Sequence, residues 1–304
     1  MDKISYGSYV LRICAYIGVV VASLMWFLFS ALIAFRLTGS AAWTNVWAGV
    51  FSVVPFIVFS TLGWLSVRHG WGSWFFRPRG SHPFFSPQAF HQAVEDRPSV
   101  WWYVRVVIAC AAVFVTAQVV GRSYIATFGS PSFAEMSRAQ AGYDLVPVLI
   151  AITVSSPIGE EFLHRGVVFT MFRGLLPPLG AAVVSALVFS AVHMNMAQAV
   201  TTVFLGFVSA LLYERTHMMV YPIAFHMLFN IGSMFFRITA PDSVVLFILF
   251  VVCALCTCVW AWVAIFYGAK RRSTPSFIAL NGAVFPCHKQ RDMRHLQSWR
   301  RGNG

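Results

Sequence analysis

The feature that most constrains the fold of this chain is a series of long apolar runs separated by short polar segments. A helix needs about 20 apolar residues to cross the hydrocarbon core of a bilayer. Eight runs approach or exceed that length, and they occupy residues 9–35, 42–67, 101–120, 146–173, 179–197, 199–214, 218–236 and 243–267. The fifth to seventh are short or carry polar residues, so seven spans are the alternative. The pattern predicts an all-α protein, a polytopic transmembrane bundle of about eight helices.

Charged residues are too scarce to cover a water-facing surface. They make up 11% of the 304 residues, against 58% hydrophobic residues, whereas an ordinary soluble domain has about 25% charged residues. The composition therefore excludes a soluble enzyme, a disordered chain and a small disulfide-stabilised scaffold. The net charge of +12 is carried mainly by loops and the C-terminal tail, so we predict no nucleic-acid partner.

Lys and Arg are distributed unevenly between the two sides of the predicted bundle. With eight spans, fifteen of them lie on the side of the two termini, and the other side has four: Arg36, Arg122, Arg138 and Arg237. Because basic residues are enriched in cytoplasmic loops, both termini are predicted to be cytoplasmic. The first apolar run lacks a small-residue cleavage site and is predicted to be a retained anchor.

Two polar segments interrupt the apolar runs. Residues 68–100 are rich in aromatic and basic residues and contain several prolines, which is typical of an interfacial segment at the lipid headgroups. Residues 121–145 are predicted to form a second polar loop. From residue 269 onward the chain carries eight Lys and Arg and one Asp, which predicts a basic cytoplasmic tail near anionic lipids.

A pair of adjacent carboxylates lies deep in the fourth apolar run. Glu160 and Glu161 are flanked by apolar residues on both sides, and ionisable residues within a membrane span usually mark function. Like charges so close together oppose joint ionisation. Arg165 follows Glu161 by four residues and shares its helical face, which predicts an ion pair between them. Glu160 then remains available for chemistry.

Three further polar residues, His193, His226 and Asn230, lie deep in other apolar runs. Taken singly, each is more often an interhelical hydrogen-bonding residue than a catalyst, but together with the glutamate pair they indicate a site. A buried carboxylate can act as a general base towards water, and imidazole and amide groups can stabilise an oxyanion. The same set also suits a metal, with Glu160, His193 and His226 as ligands and Glu161 or Asn230 completing the site.

Other intramembrane protease chemistries find little support in the sequence. Neither His193 nor His226 is followed by Glu, so the HExxH motif of zinc metalloproteases is absent. No glycine-flanked serine of the nucleophile-elbow type occurs in a span. Tyr143-Asp144 resembles one half of an intramembrane aspartyl pair, but the other Asp, Asp242, lies in a predicted loop after Pro241, so a membrane-embedded aspartyl pair is not expected.

Three short motifs in a fixed order resemble those of a known family. An E-E-x-x-x-R pattern spans 160–165, F-x-x-x-H spans 189–193 and H-x-x-x-N spans 226–230. Their order and spacing resemble the CAAX-processing and bacteriocin-immunity (CPBP) family of intramembrane proteases, which is related to the type II CAAX prenyl endopeptidase. The resemblance covers about residues 155–232. It implies an intramembrane endopeptidase that cleaves a membrane-associated protein or peptide.

The resemblance also implies roles for individual residues. The catalytic positions are Glu160, His193, His226 and Asn230. It implies that Glu160 activates the attacking water, that His226 and Asn230 orient the substrate carbonyl and stabilise the oxyanion, and that Glu161 and Arg165 support the site. Metal-free glutamate catalysis is favoured. The alternative is a metalloendopeptidase in which Glu160, His193 and His226 hold a divalent cation such as zinc.

The resemblance divides the chain into three parts. Residues 1–145 are the N-terminal transmembrane helices with the interfacial loop, 146–236 the catalytic core, and 237–304 the last transmembrane helix and the basic tail. The expected location is a prokaryotic plasma membrane. A non-catalytic membrane scaffold or bacteriocin self-immunity factor of the same family is the alternative function, and a transporter or proton relay is a third, although the inverted repeats expected of one are not evident in the sequence.

Overall fold

The structure is a computed structural model that describes residues 6–69, 99–236 and 238–266, and all regular secondary structure in these ranges is helical. The helices are α1 (Tyr6–Thr38), α2 (Ala41–Phe51), α3 (Val54–His69), α4 (Val100–Phe128), α5 (Pro131–Ala141), α6 (Leu145–Arg173), α7 (Pro178–Ala191), α8 (Met196–Thr216), α9 (Val220–Phe235) and α10 (Val244–Phe266). The all-α prediction is confirmed.

Six helical segments among the described residues are long and apolar enough to cross a membrane. They are Ile13–Thr38, Ala41–Gly63, Val100–Phe128, Leu145–Arg173, Met196–Thr216 and Val244–Phe266. Helices α7 and α9 are also apolar but have only 14 and 16 residues. Each of the eight predicted runs thus corresponds to an apolar helical segment. The prediction of a polytopic helical membrane protein is confirmed, with two of its helices shorter than a full span.

The predicted polar loop at 121–145 is wrong in most of its length. Helix α4 continues to Phe128, and a separate helix, α5, begins at Pro131. Proline is well tolerated at the first position of a helix because no intrahelical partner exists for the missing N–H. The apolar run ends near residue 120 because the next residues of α4, among them Gly121 and Arg122, line a cavity within the protein, so the loss of apolarity does not mark a helix end.

Two predicted segments lie largely outside the described residues. Residues 70–98 include most of the predicted interfacial loop, and residues 267–304 contain the basic tail. Both assignments stay predictions.

Helix α8 is central in the bundle and contacts α4, α7, α9 and α10. The interior face of α4 is built from small buried residues: Ala109, Val113, Ala117 and Val120. Such residues let membrane helices approach closely. Two polar contacts reinforce the packing of α4 against α10. The Trp102 indole donates to the Ile265 carbonyl at 2.9 Å, and the hydroxyls of Thr116 and Thr257 are 2.9 Å apart.

Helix α6 crosses α2 at a glycine pair. A Cβ atom built on Gly159 would collide with the Gly49 carbonyl oxygen, and it would lie 2.7 Å from the Ser52 Cβ. The absence of side chains at both glycines therefore allows the two backbones to touch. Since Gly159 immediately precedes Glu160, this contact fixes the position of the carboxylate pair in the bundle.

Replacing Gly159 with alanine is expected to lower the free energy of unfolding by about 1–3 kcal/mol, because the added methyl group overpacks the crossing. Alanine is the better helix former of the two, so any loss must come from the collision with α2. Thermal unfolding in detergent measures the effect. Gly18→Ala in α1 is the matched control, because nothing lies within 4 Å of its Cβ position. An unchanged or raised melting temperature for Gly159→Ala would contradict the close crossing.

Candidate active site

Two π-helical turns flank the carboxylate pair within α6. They occupy Ala151–Ser155 and Phe162–Phe169, and the α-helical segment Ser156–Glu161 lies between them. The first ends two residues before Pro157, which has no N–H to donate. The Ser156 N–H bonds to the carbonyl of Ala151, five residues earlier. Such wide turns are rare and are frequent at functional sites.

The first π-helical turn provides the hydrogen-bond partner that orients Asn230. In the π pattern the carbonyl of Ile152 would accept from residue 157, which is proline. Asn230 Nδ2 on α9 donates to this carbonyl instead, at 2.8 Å. An amide nitrogen carries two N–H groups, so one donor remains beyond this bond. The irregular turn in α6 therefore positions a side chain of another helix.

Glu161 joins two basic side chains in the interior of the protein. Its side chain is fully buried, with Oε2 at 2.9 Å from Arg165 Nε and Oε1 at 2.8 Å from His226 Nδ1. Arg165 Nη2 also donates to the Gly206 carbonyl at 2.9 Å. The ion pair predicted from the four-residue spacing is present. The sequence did not reveal that the same carboxylate also holds His226, so that α6, α8 and α9 meet at this cluster.

Glu160 lies in a different environment from its neighbour. Its side chain is 27% exposed, and its Oε2 is 3.8 Å from His226 Nε2. That separation is too long for a direct hydrogen bond, but one water oxygen can contact both atoms. Glu161 thus binds one ring nitrogen of His226, and Glu160 faces the other.

Phe189 of the F-x-x-x-H motif packs between the basic side chains of the site. Its ring is nearly perpendicular to three imidazole rings, with centroid distances of 4.9 Å to His164, 5.0 Å to His193 and 5.6 Å to His226. The guanidinium carbon of Arg165 lies 4.8 Å from the same centroid. Edge-to-face and cation–π contacts of this kind hold rings in defined orientations. The phenylalanine of the motif is therefore a positioning residue.

His193, which follows the end of α7, and His164, on α6, are placed differently. His193 Nδ1 contacts the Phe189 carbonyl at 2.8 Å, and the side chain is partly exposed. His164, which lies outside the motifs, is buried, and its Nδ1 contacts the Glu160 carbonyl at 2.9 Å. His193 borders the cavity described next, whereas His164 is a packing residue between α6 and α7.

A cavity of about 380 Å³ brings the predicted catalytic residues together. Its lining includes the four residues Glu160, His193, His226 and Asn230. Sequence reasoning missed the polar wall on α4, where Gln118 and Arg122 also line the cavity. Gln118 Nε2 donates to the Ser233 hydroxyl at 2.6 Å, and Arg122 Nη2 donates to the Phe236 carbonyl at 3.1 Å. Gln118 had a detectable signal, as a polar residue inside the apolar run 101–120.

The alternative metal site requires several ligands that converge on one ion. Among the described side chains, no group of three or more His, Cys, Asp or Glu residues is arranged to hold a metal ion. The set considered from the sequence, Glu160, His193 and His226, borders one cavity without forming such a group. Because both imidazoles engage Nδ1 with protein oxygens, each has only Nε2 left for another partner.

The fold and the cavity define an integral membrane protein in whose helical bundle a carboxylate, two imidazoles and an amide line one cavity. Residues 142–232 match the family model described as type II CAAX prenyl endopeptidase Rce1-like. The match contains all three motifs and confirms the family resemblance, and this family supports a membrane-bound, CAAX protease-like enzyme. No curated protein and no solved structure matches the chain.

Proposed function

We propose that this chain is an intramembrane endopeptidase that hydrolyses a peptide bond of a membrane-associated protein or peptide, with Glu160 as the general base. One observation carries the proposal. Two adjacent carboxylates occupy different environments: Glu161 is fully buried and paired, and Glu160 borders the cavity beside His226. A purely structural role would require neither an accessible carboxylate nor an imidazole held next to it.

The reaction begins with a water molecule between Glu160 and the substrate carbonyl. Glu160 accepts a proton as the water oxygen bonds to the carbonyl carbon, and the carbonyl electron pair moves to oxygen as an oxyanion. When the tetrahedral intermediate collapses, the C–N bond breaks. The proton passes from Glu160 to the leaving amine, which restores the carboxylate.

The bond between Glu161 and His226 determines what the imidazole can donate. With Nδ1–H directed at Glu161, Nε2 carries a proton only in the imidazolium form. The positive charges of Arg165 and the imidazolium then balance the negative charges of Glu160 and Glu161. A carboxylate that holds an imidazole in one orientation and stabilises its charged form is also the arrangement of serine-protease triads. We propose that the His226 imidazolium and the Asn230 amide stabilise the oxyanion and that His193 helps to line the substrate site.

The substrate can be identified by comparing two forms of the protein. Membranes that contain wild type or Glu160→Gln are incubated in parallel, and new peptide termini are identified by mass spectrometry. Intact peptides that span an identified cleavage site are then incubated with purified protein in lipid vesicles. Cleavage by wild type alone supports the proposal, and identical products with both proteins contradict it.

Asn230→Ala is expected to lower kcat by about 10²–10³-fold with KM largely unchanged, because removal of one oxyanion donor typically costs that much turnover. Steady-state kinetics on the identified peptide measures both constants. Leu228→Ala is the control on the same helix, since its side chain is 67% exposed and outside the catalytic cavity. Asn230→Asp should be less active still, because it places a carboxylate beside the oxyanion. Full activity of that variant would favour metal coordination or a protonated Asp donor.

Catalysis is expected to be independent of a bound metal. The proposed steps use only the proton transfer at Glu160 and the donors on His226 and Asn230. Chelator treatment followed by dialysis should leave turnover unchanged, while a zinc protease treated in parallel loses activity. The expectation would be overturned if the active protein contains stoichiometric zinc, if chelation removes both zinc and activity, and if added zinc restores the activity.

A further inference from the structure

One face of α4 lines the catalytic cavity without having a task in the proposed mechanism. Residues three, four and seven positions apart lie on the same side of a helix. On α4 these cavity-lining residues are Gln118, Gly121, Arg122 and Ile125. The bond from Gln118 to Ser233 joins this face to α9, which carries two of the proposed catalytic residues. The α4 face is therefore a wall of the site that a bound substrate would contact.

Arg122 is a cation within a candidate membrane span, and no described carboxylate balances its charge. It belongs to the span Val100–Phe128 and is half-buried. In the part of the chain that the structure describes, its one hydrogen bond runs from Nη2 to the Phe236 carbonyl at 3.1 Å, and it joins no ion pair. Ionisable residues within spans are costly and usually mark function. Because a guanidinium has five N–H donors, the others remain available to a ligand in the cavity.

The beginning of α8 adds to the positive potential around Arg122. The first turn of this helix lines the same cavity, and the N-terminal end of a helix carries a partial positive charge. A Cβ atom built on Gly121 would collide with Cγ2 of Thr201, so α4 touches α8 at the residue before Arg122. The Asn195 side chain already accepts from two N–H groups of this turn. Helix α8 therefore contributes its dipole, and Arg122 contributes the hydrogen-bond donors.

The guanidinium is held apart from the proposed oxyanion donors. Phe236, whose carbonyl binds Arg122, follows Asn230 by six residues, which is about 9 Å along the axis of a helix. A substrate carboxylate next to Glu160 would be disfavoured, because like charges close together oppose joint ionisation. The opposite charges of Arg122 and Glu160, which both line the cavity, therefore favour one direction for a bound peptide that carries an anionic group.

We infer that Arg122 is a specificity-determining residue that binds a carboxylate of the substrate, which is either an Asp or Glu side chain or a free C-terminal carboxylate. The inference rests on the proposed function, because it places this carboxylate in the cavity that Glu160 lines. An arginine binds a carboxylate through two parallel N–H···O bonds, and both sources offer the same two oxygens. Such a substrate supplies the counter-charge that Arg122 lacks among the described residues.

Equilibrium binding tests the inference without proteolysis. Protein in detergent carries Glu160→Gln, which prevents turnover, and Arg122 is either retained or replaced in Arg122→Gln. Isothermal titration calorimetry compares N-acetyl-trileucine, its neutral C-terminal amide, and N-acetyl-aspartyl-dileucine amide. With Arg122 retained, at least one carboxylate probe should bind about 10–100-fold more tightly than the neutral amide, because hydrogen bonds to charged groups contribute that much. Arg122→Gln should remove the difference, and the preferred probe identifies the source of the carboxylate.

Arg138→Gln is the matched control, because Arg138 is an exposed arginine on α5 that does not line the cavity. It should keep the carboxylate preference. Arg122→Lys keeps the charge without the paired geometry, so it should keep part of the preference, and it replaces Arg122→Gln if that variant does not fold. Equal binding or no binding of the three probes to protein that retains Arg122 overturns the inference. A preference that persists in Arg122→Gln, or an equal loss of all three probes, also overturns it.

Cleavage kinetics separate this inference from the proposed function. In wild type, neutralising the recognised carboxylate of the identified peptide should lower kcat/KM by about 10–100-fold, whereas Arg122→Gln should cleave both peptides equally. Cleavage without a carboxylate preference overturns the role of Arg122 alone. A carboxylate preference in binding, without cleavage of any peptide, overturns the peptidase function alone. If phosphatidylglycerol raises the melting temperature only when Arg122 is present and no probe is preferred, Arg122 binds lipid phosphate and the inference is overturned.

Discussion

Replacing Glu160 with glutamine is expected to lower turnover by about 10²–10⁴-fold, the usual contribution of a general base. Glutamine has nearly the same shape but cannot accept a proton from water. The fold should survive, because the nearest ionic partner of Glu160 is 3.8 Å away and its side chain is partly exposed. Single-turnover cleavage of the identified peptide measures the loss of turnover. Thermal unfolding of the same preparation measures the stability of the fold.

Glu135→Gln is the control for this experiment. Glu135 is exposed on α5 but does not line the cavity, so its variant should retain wild-type turnover and stability. Unchanged proteolysis by Glu160→Gln would remove the general base from the mechanism. If neither wild type nor variant cleaves any membrane polypeptide, the alternative of a non-catalytic scaffold or immunity factor is favoured.

The helical architecture was largely predictable because the apolar runs report directly on lipid contact. The errors arise where that relation fails. The polar end of α4, including Arg122, is helical because it faces a cavity within the protein. Helices α7 and α9 are shorter than the apolar runs that predicted them, since His193 follows the end of α7 and Phe236 that of α9. Apolarity shows that a residue avoids water without showing whether it is helical.

The local part of the site was equally accessible to sequence reasoning. The pair formed by Glu161 and Arg165 follows from their spacing on one helix. Contacts between helices could not be predicted from the sequence, because they depend on how the bundle packs. Nothing in the sequence shows that Glu161 reaches His226 across 65 residues, or that Phe189 contacts three imidazole rings.

The irregular turn before Pro157 shows the same limit of sequence reasoning within one helix. The proline predicts a distortion of α6, and the structure shows a π-helical turn there. Only the helical register reveals that the carbonyl of Ile152 loses its donor and accepts from Asn230 instead. A sequence motif can therefore identify the asparagine, but its orientation depends on a backbone irregularity in another helix.

Replacing Glu161 with glutamine is expected to destabilise the protein by about 3–5 kcal/mol, the usual cost of removing one partner from a buried ion pair. Arg165 is fully buried and would lose its compensating negative charge, and His226 would lose a carboxylate acceptor. Loss of folded protein should therefore precede any measurable change in catalysis. Denaturant or thermal unfolding in detergent measures the loss of stability, with expression yield as a first indicator. Glu160→Gln is measured in parallel for comparison.

The double variant Glu161→Gln/Arg165→Met separates the two tasks of Glu161. Removing both charges of a buried pair is often nearly neutral for stability, so the double variant should recover much of the loss. Turnover should stay low, because the His226 imidazolium then lacks the buried negative charge that balances it. A stable double variant with full activity would show that Glu161 is needed only to neutralise Arg165. A stable single variant with a selective loss of catalysis would mean that the roles of Glu160 and Glu161 are the reverse of those proposed.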